Sequence, residues 1–190
     1  MPLPRRIFLA INLPEKIKQE LERYQERWKS LPIRWIPSKN FHITLVFLGY
    51  LNNDELFEVS KATKETAFEN SPFSVNLTKI CYGPLEKKPP RMIWAVGEKS
   101  PEFTALKTEL EERLLNSGKV SFRPEKREFC PHITLGRIRQ WEWRRMDPED
   151  IPQIEEGINL VFPVNSIEVM ESQLKRGGAE YTILESHSLK

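Results

Sequence analysis

The stretch Phe41-His-Ile-Thr-Leu-Val-Phe-Leu48 decides how the rest of the chain is interpreted, because its central tetrapeptide occurs twice. Farther along, the sequence reads Pro131-His-Ile-Thr-Leu-Gly-Arg137, and the two histidines lie 90 residues apart. Each copy is rich in β-branched and apolar residues and is closed by a glycine, Gly49 or Gly136, which is typical of a short strand. The sequence therefore predicts two related strands.

Side-chain alternation along these strands predicts where the polar groups point. Successive side chains of a strand face opposite sides of the sheet. His42 and Thr44 therefore share one face, as do His132 and Thr134, while the intervening isoleucine and the following leucine face the core. Each strand would present a histidine beside a hydroxyl above an apolar layer. We interpret the two strands as two halves of one site.

The elements before each histidine strand follow the same order in both halves of the chain. In the first half an apolar run, Ile7–Leu13, precedes a helix that starts at Pro14. In the second half Met92–Val96 precedes a helix with Ser100 as N-cap and Pro101 at its first position. Strand–helix–strand units are common in α/β proteins, but the repeated tetrapeptide favours a duplicated unit. Two such units paired about a pseudo-two-fold axis would turn their polar faces toward each other across a cleft.

The remaining segments predict further elements. Asn53 is suited to cap a helix with an acidic first turn. Leu31–Trp35 is expected to be a loop, and Trp141–Arg145 a surface connection. Two strands, Val164–Leu174 and Ala179–Leu184, are expected to form a C-terminal hairpin.

Composition describes an ordinary globular chain. The 190 residues are 39% hydrophobic and 29% charged, with a net charge of +2, which is too small to argue for a polyanionic partner alone. The two cysteines, Cys81 and Cys130, have no CxxC spacing, which favours a reducing compartment. No apolar run approaches the roughly 20 residues that span a membrane. We expect a cytoplasmic protein of one two-lobed domain, residues 1–190.

Several roles for the histidines remain open from the residues alone. They could be structural. Metal binding is disfavoured because a zinc site requires three or four protein ligands. The chain has three histidines, of which His187 is the third, and no HxH or HExxH spacing. A nucleophile is also disfavoured, since there is no Gly-x-Ser-x-Gly elbow and Cys130, two residues before His132, is a weak signal.

Paired acid–base catalysis fits the pattern best. Histidine titrates near neutral pH, so of two histidines in one cleft one can take a proton from water while the other gives a proton to a departing oxygen. This arrangement suits phosphodiester chemistry, most clearly a strained cyclic phosphate. Each threonine hydroxyl could donate to a non-bridging phosphate oxygen as charge develops there.

The two His-Ile-Thr-Leu motifs resemble the paired HxTx motifs of the two-histidine (2H) phosphoesterases. Within that group the chain resembles the RNA 2′,3′-cyclic phosphodiesterases, also called 2′-5′ RNA ligases. The likeness covers nearly the whole chain. It includes Arg6–Pro14, Phe41–Gly49, Arg91–Ala95, Pro131–Arg137 and the Gly-Gly hairpin.

This resemblance implies a bilobal α+β fold with a pseudo-two-fold duplication, a mostly antiparallel sheet in each lobe lining a central cleft, and helices outside. It implies hydrolysis of a ribose 2′,3′-cyclic phosphate to a 2′-phosphomonoester without metal or cofactor, and in some assays ATP-independent 2′-5′ ligation. It assigns His42 as proton donor and His132 as proton acceptor. Nothing in the sequence itself orders the two.

The resemblance also implies that Phe47 and Arg137, each five residues after its histidine, flank the base of the terminal nucleotide, with Thr44 and Thr134 also binding substrate. Strict alternation places the fifth residue on the opposite face from the histidine. The strands must therefore bend or end near Leu48 and Gly136.

A different class stays open: a single-stranded RNA- or nucleotide-binding module without turnover. Basic loops at Lys87–Arg91 and Arg123–Arg127, with Trp94, Trp141 and Trp143, could supply charge and stacking. In either case the expected partners are RNA ends or small cyclic nucleotides, with no membrane and no obligate protein partner, and the chain is expected to be a monomer.

Overall fold

The structure is a computed structural model that describes residues 4–85, 88–125, 128–176 and 178–190. Its strands are β1 (Arg5–Asn12), β2 (Ile33–Trp35), β3 (His42–Leu51), β4 (Phe73–Gly83), β5 (Met92–Gly97), β6 (His132–Ile138), β7 (Glu155–Val164), β8 (Ser166–Lys175) and β9 (Gly178–Ser188). Its α-helices are α1 (Glu15–Glu26), α2 (Asn53–Glu69), α3 (Pro101–Asn116) and α4 (Gln140–Trp143). Single 3-10 turns lie at Ser38–Asn40 and Pro148–Asp150.

The strands form two antiparallel half-sheets joined edge to edge. Their order is β7-β4-β5-β6-β3-β1-β8-β9, and β2 pairs with β6 in addition. Where β6 meets β3, the register of the described strands has one residue pair, Ile43 with Ile133. These two isoleucines are equivalent positions of the two His-Ile-Thr-Leu motifs. The strand order is therefore symmetric about this pair, which confirms the predicted α+β fold with a mostly antiparallel sheet on each side of a pseudo-two-fold axis.

The core lies on the sheet face opposite the histidines. Ile43, Leu45, Ile133 and Leu135 are each at most 3% exposed and belong to one cluster with apolar residues of the helices. The helices contribute Ile17, Leu21, Val59, Phe103, Leu106, Leu110 and Leu114 to that cluster. The predicted separation of an apolar face from a polar face is confirmed, and the helices leave the polar face uncovered.

Two helix starts test the capping predictions. Ser100 caps α3 as predicted, its hydroxyl accepting from the backbone N–H of Phe103 at 3.0 Å. For α2 the predicted cap, Asn53, was wrong by one residue. Asn52 is the N-cap, and its side chain accepts from the backbone N–H of Glu55 at 3.0 Å while the Glu55 carboxylate accepts from the Asn52 N–H at 2.8 Å. Because residues 52 and 53 are both asparagine, the sequence did not decide which of them is the N-cap.

Several connections differ from the prediction. The segment Leu31–Trp35 was expected to be a loop, but its last three residues form β2 against β6. Strand β7 was not predicted. The C-terminal hairpin is confirmed as β8 and β9, with a second strand that runs on to Ser188. Within Trp141–Arg145 the surface prediction was wrong for Trp143, which is 3% exposed and packs edge-on against Tyr82.

In the described part of the chain, none of the helices combines the length and apolar character needed to cross a membrane.

Candidate active site

One cleft brings together all six residues predicted for the site. The cleft has a volume of about 720 Å³ and lies over the junction of the two half-sheets. The predicted residues in its lining are His42, Thr44, Phe47, His132, Thr134 and Arg137. The two motifs thus line a single cleft.

His42 is held by the backbone and by its own motif. Its Nδ1 donates to the backbone carbonyl oxygen of Asn40 at 2.8 Å. In the neutral ring this leaves Nε2 as an acceptor, and the Thr44 hydroxyl donates to it at 3.1 Å. Phe8 and Tyr181 enclose the ring, each with its centroid 5.0 Å from that of the imidazole. Ring orientation and tautomer are therefore fixed without a carboxylate.

The surroundings of His42 disfavour its charged form. Burial lowers the pKa of His42 to about 4; the hydrogen bond to the Asn40 carbonyl opposes this shift, and positive charge on His132 and Lys18 adds to it. Lys18, on α1, is itself 8% exposed. In the free protein at neutral pH, His42 is uncharged.

His132 makes the same backbone contact as His42 but has a different aromatic neighbour. Its Nδ1 donates to the backbone carbonyl oxygen of Cys130 at 2.8 Å, as the equivalent atom of His42 does two residues upstream. Trp94 of β5 stacks on the imidazole, with ring centroids 3.8 Å apart and planes 25° apart. Trp94 pairs with Thr134 in the sheet, and the equivalent partner of Thr44 is Ala10. The first motif therefore has an alanine where the second has a tryptophan. The two halves of the site are therefore related but not identical.

Two β-bulges explain why Phe47 and Arg137 face the cleft. In β3 the register against β1 passes from Val46 to Thr44, so that Leu45 is an extra residue. In β6 the register against β5 passes from Gly136 to Thr134, so that Leu135 is an extra residue. A bulge shifts the alternation by one residue. The fifth residue after each histidine consequently returns to the histidine face, where Phe47 is 49% exposed and Arg137 is also exposed.

Sequence reasoning missed a second group of residues that line the cleft. Arg6 lies over the Phe47 ring at 4.8 Å, and Phe8 stacks with Phe47 at 6.4 Å. Ser172 is 6% exposed, and its hydroxyl has no hydrogen-bond partner within the described residues. Others in this group are Arg34, Trp35, Lys39, Lys175 and Tyr181. Their positions follow from the pairing of β1, β2, β8 and β9 and carry no local sequence signal.

The lining of the cleft is predominantly cationic. It contains Arg6, Arg34, Lys39, Arg137 and Lys175 against one carboxylate, Glu180, among the described residues. Across the described ranges, no three His, Cys, Asp or Glu side chains are grouped so that they could hold a metal ion. The arrangement suits an anionic ligand next to two histidines.

Comparison with known proteins identifies the family. The LigT like phosphoesterase family matches twice, over residues 11–94 and 96–181. These two matches meet within β5, and each includes one His-Ile-Thr-Leu motif. The chain belongs to the LigT-like phosphoesterases.

Similar proteins cover nearly its full length. An RNA 2′,3′-cyclic phosphodiesterase of Thermus thermophilus is 31% identical, covering 97% of this chain and 90% of its own. One of Methanocaldococcus jannaschii is 29% identical, covering 94% of this chain and 98% of its own. The crystal structure of TT0787 of Thermus thermophilus superposes with a TM-score of 0.82 at 30% identity, covering 97% of both chains. Escherichia coli LigT in complex with 3′-AMP superposes with a TM-score of 0.77 at 25% identity, covering 98% of this chain and 99% of its own.

Proposed function

We propose that this chain hydrolyses the 2′,3′-cyclic phosphate at RNA ends to a 2′-phosphomonoester. The observation that carries the proposal is the convergence of two histidine–threonine pairs, one from each half-sheet, in one cationic cleft. The family membership and the relatives named as RNA 2′,3′-cyclic phosphodiesterases support it. A module that only binds nucleotides would not require two histidines with fixed ring orientations.

The proposed reaction moves two protons. A water molecule attacks phosphorus and passes a proton to His132, the acceptor, as the new P–O bond forms. The bond between phosphorus and the 3′ oxygen breaks, and His42, the donor, protonates that oxygen. The 2′ oxygen keeps the phosphate. His132 then releases its proton to solvent and His42 regains one, which closes the cycle.

The threonines are proposed to bind the non-bridging oxygens. In the free site the Thr44 hydroxyl donates to Nε2 of His42. Once Nε2 carries a proton it can no longer accept, so the hydroxyl is free to donate to a phosphate oxygen. Phosphate binding and protonation of His42 therefore favour each other. Thr134, at the equivalent position beside His132, would donate to the second oxygen.

The lowered pKa of His42 bears on its role as donor. An uncharged His42 in the free site must gain its proton when the substrate arrives, and an adjacent phosphodiester anion favours that protonation. The order of the two histidines rests on the family resemblance, and the resting charge state of His42 opposes it. A leaving-group experiment, given in the Discussion, separates the two orders.

Phe47 and Arg137 are proposed to hold the terminal base between an aromatic ring and a guanidinium group. Both project onto the histidine face and line the cleft. The guanidinium of Arg6 lies over the Phe47 ring, 4.8 Å from its centroid, and keeps that ring in place. Stacking of this kind tolerates any base, which fits an enzyme that acts on RNA ends of varied sequence.

The same site would also support ligation. If the 5′-hydroxyl of a second RNA strand replaces water, its oxygen bonds to phosphorus, the bond to the 3′ oxygen breaks, and a 2′-5′ linkage results. The cyclic phosphodiester supplies the energy, so ATP is not needed. We further propose that the chain is one two-lobed domain over residues 1–190 and acts as a monomer on RNA ends or small cyclic nucleotides. We also propose that it works in the cytoplasm, where thiols such as those of Cys81 and Cys130 stay reduced.

One assay tests the proposed reaction directly. An oligoribonucleotide ending in a 2′,3′-cyclic phosphate is incubated with the protein and EDTA, and the 2′- and 3′-phosphomonoester products are separated. We expect undiminished conversion to the 2′-phosphomonoester. Loss of activity with EDTA that is restored by zinc, manganese or magnesium, or a 3′-phosphate product, would contradict the mechanism.

A further inference from the structure

A pair of arginines at the edge of the cleft opposes the stability of the fold. In the register of β2 against β6, Arg34 lies directly opposite Arg137. Residues directly opposite each other on antiparallel strands share a face, and like charges there are destabilising. Both side chains are exposed, both line the cleft, and neither forms an ion pair within the described part of the chain. An anionic ligand would remove the repulsion.

The arginine pair continues outward from the cleft along β6. Arg139 follows Arg137 by two residues, just past the end of β6, and its extended backbone would turn its side chain to the same face. Its backbone N–H donates to the carbonyl oxygen of Pro32 at 2.9 Å, which holds this part of the chain against the β2 segment. Its side chain is 55% exposed, with Glu142 at 3.3 Å. Charge thus extends beyond the terminal-nucleotide site on a fixed backbone.

An exposed tryptophan follows two residues after Arg139. Trp141, on α4, is 66% exposed, and the guanidinium of Arg145 lies 3.6 Å from its ring centroid. The next tryptophan, Trp143, is buried and anchors α4 to the core. One tryptophan of this short helix therefore fixes the helix, while the other presents a ring with an attached positive charge to solvent. Exposed tryptophan–arginine platforms of this kind stack on bases of single-stranded nucleic acid.

We propose that Arg34, Arg139, Trp141 and Arg145 form a second binding surface for the single-stranded RNA that precedes the cyclic-phosphate end. This inference rests on the proposed function and specifies its substrate as an oligoribonucleotide rather than a mononucleotide. The arginines contact phosphates of the RNA and the Trp141–Arg145 platform stacks on an upstream base. An acidic protein segment could pair with the arginines, but it would offer no base to stack on Trp141, so RNA fits this surface better.

The test compares two substrates that share the same reacting group. One is 2′,3′-cyclic AMP, and the other is a hexa-adenylate ending in a 2′,3′-cyclic phosphate. With Trp141→Ala or Arg145→Ala, KM for the hexamer should rise at least about fivefold, the lower range for one lost base stack, while kcat stays unchanged. Both constants for 2′,3′-cyclic AMP should be unaffected. With Arg139→Gln the salt dependence of hexamer turnover should become shallower by about 0.7 in log–log slope, the loss of one phosphate contact.

The chain offers a matched control. Phe68 is 61% exposed, with the Lys190 ammonium 3.7 Å from its ring centroid, and it does not line the cleft. Phe68→Ala removes a similar exposed cation–aromatic pair and should change neither substrate. Equal effects of Trp141→Ala on both substrates, or an effect on neither, would overturn the proposal. The proposal would also be overturned if polyglutamate displaced the hexamer as effectively as RNA does.

Failure of the proposed function gives a different result. If the wild-type protein hydrolyses neither substrate, the proposed reaction is wrong, and the surface is tested by fluorescence polarisation with a labelled hexa-adenylate. Weaker binding by Trp141→Ala, with unchanged binding by Phe68→Ala, would support the RNA surface independently of catalysis. Unchanged binding by both would overturn it.

Discussion

Trp94 lies face to face with His132, with ring centroids 3.8 Å apart, and Gly83 makes room for it. A Cβ atom at Gly83 would lie 2.3 Å from Cδ2 of the Trp94 ring. The absence of a side chain at Gly83, on β4, thus permits an aromatic stack on β5 that orients a histidine on β6.

We expect Gly83→Ala to displace Trp94 and misalign His132. Overpacking of this kind costs about 1–3 kcal/mol of stability, and kcat should fall at least about tenfold at a temperature where the protein remains folded. The measurements are kcat and thermal unfolding. Gly157→Ala, on β7, is the control, because nothing lies within 4 Å of a Cβ there. Normal kcat in Gly83→Ala would show that the stack does not position His132.

The two histidines should be individually essential for turnover. His42→Ala and His132→Ala should each lower kcat by roughly 10²–10⁴, the usual contribution of a positioned acid or base. Affinity for an RNA end carrying a 2′-phosphate should change far less. His187→Ala is the control, since His187, on β9, does not line the cleft. Near-normal turnover in both cleft variants would favour the nucleotide-binding module.

The pKa of His42 should report the occupancy of the site. With three histidines in the chain, imidazole NMR resonances can be assigned by substitution. His42 should titrate near pH 4 in the free protein, and its pKa should rise when inorganic phosphate or 3′-AMP is bound. A pKa that stays near 4 with a bound phosphate would argue against His42 as proton donor.

The same pKa predicts how stability depends on pH. The pKa of a histidine in the unfolded chain is near 6.5, whereas that of His42 in the folded chain is about 4. Between these pH values the unfolded chain binds a proton at His42 and the folded chain does not. The contribution of His42 to stability is therefore complete above pH 6.5 and is lost as pH falls toward 4, to a total of about 3 kcal/mol. Denaturant unfolding at pH 7 and pH 4.5 should show a smaller loss for His42→Asn than for the wild type.

The order of the two roles can be tested with a leaving group that needs no proton. With an activated aryl phosphodiester that fits the cleft, His42→Ala should recover most of its activity, because only the donor has become unnecessary. His132→Ala should remain slow, because water must still lose a proton. Recovery of His132→Ala instead would reverse the assignment, and recovery of neither would mean that both histidines mainly hold the phosphate.

Base stacking by Phe47 and Arg137 predicts a dependence on the base itself. Phe47→Ala and Arg137→Ala should each weaken hydrolysis of 2′,3′-cyclic AMP by about 1–3 kcal/mol in kcat/KM. A ribose 2′,3′-cyclic phosphate without a base should be hydrolysed equally by these variants and the wild type. Phe57→Ala removes a comparably exposed ring, 68% exposed, from α2 and serves as the control. Equal losses on both substrates would contradict a stacking role.

The sequence predicted those features that repeat or alternate. The identical tetrapeptides identified two related strands, and the alternation of apolar and polar residues identified their buried faces. Ser100 and Pro101 marked the start of α3 because capping is a local interaction. These predictions succeeded because a few neighbouring residues determine each of them.

Features that depend on distant partners were not predictable. Strand β2 has only three residues and depends on its pairing with β6. Gly136 of β6 makes room for the Trp35 ring, because a Cβ atom at position 136 would lie 2.8 Å from that ring. Strand β7 contains Gly157 and Pro163, which weaken any strand prediction from sequence. The bulges at Leu45 and Leu135 have no recognisable local signature. Yet the bulges decide which way Phe47 and Arg137 face.

The pairing of Ile43 with Ile133 also has an evolutionary consequence. In a homodimer with two-fold symmetry, a residue on the axis contacts its own copy, and the two edge strands pair antiparallel around that point. The contact between the half-sheets has this geometry, with identical residues from identical tetrapeptides at its centre. Fusion of two copies of a half-length ancestor that assembled through its own histidine strand would produce this geometry. Fusion would then have allowed the copies to diverge, so that Trp94 came to face one motif and Ala10 the other.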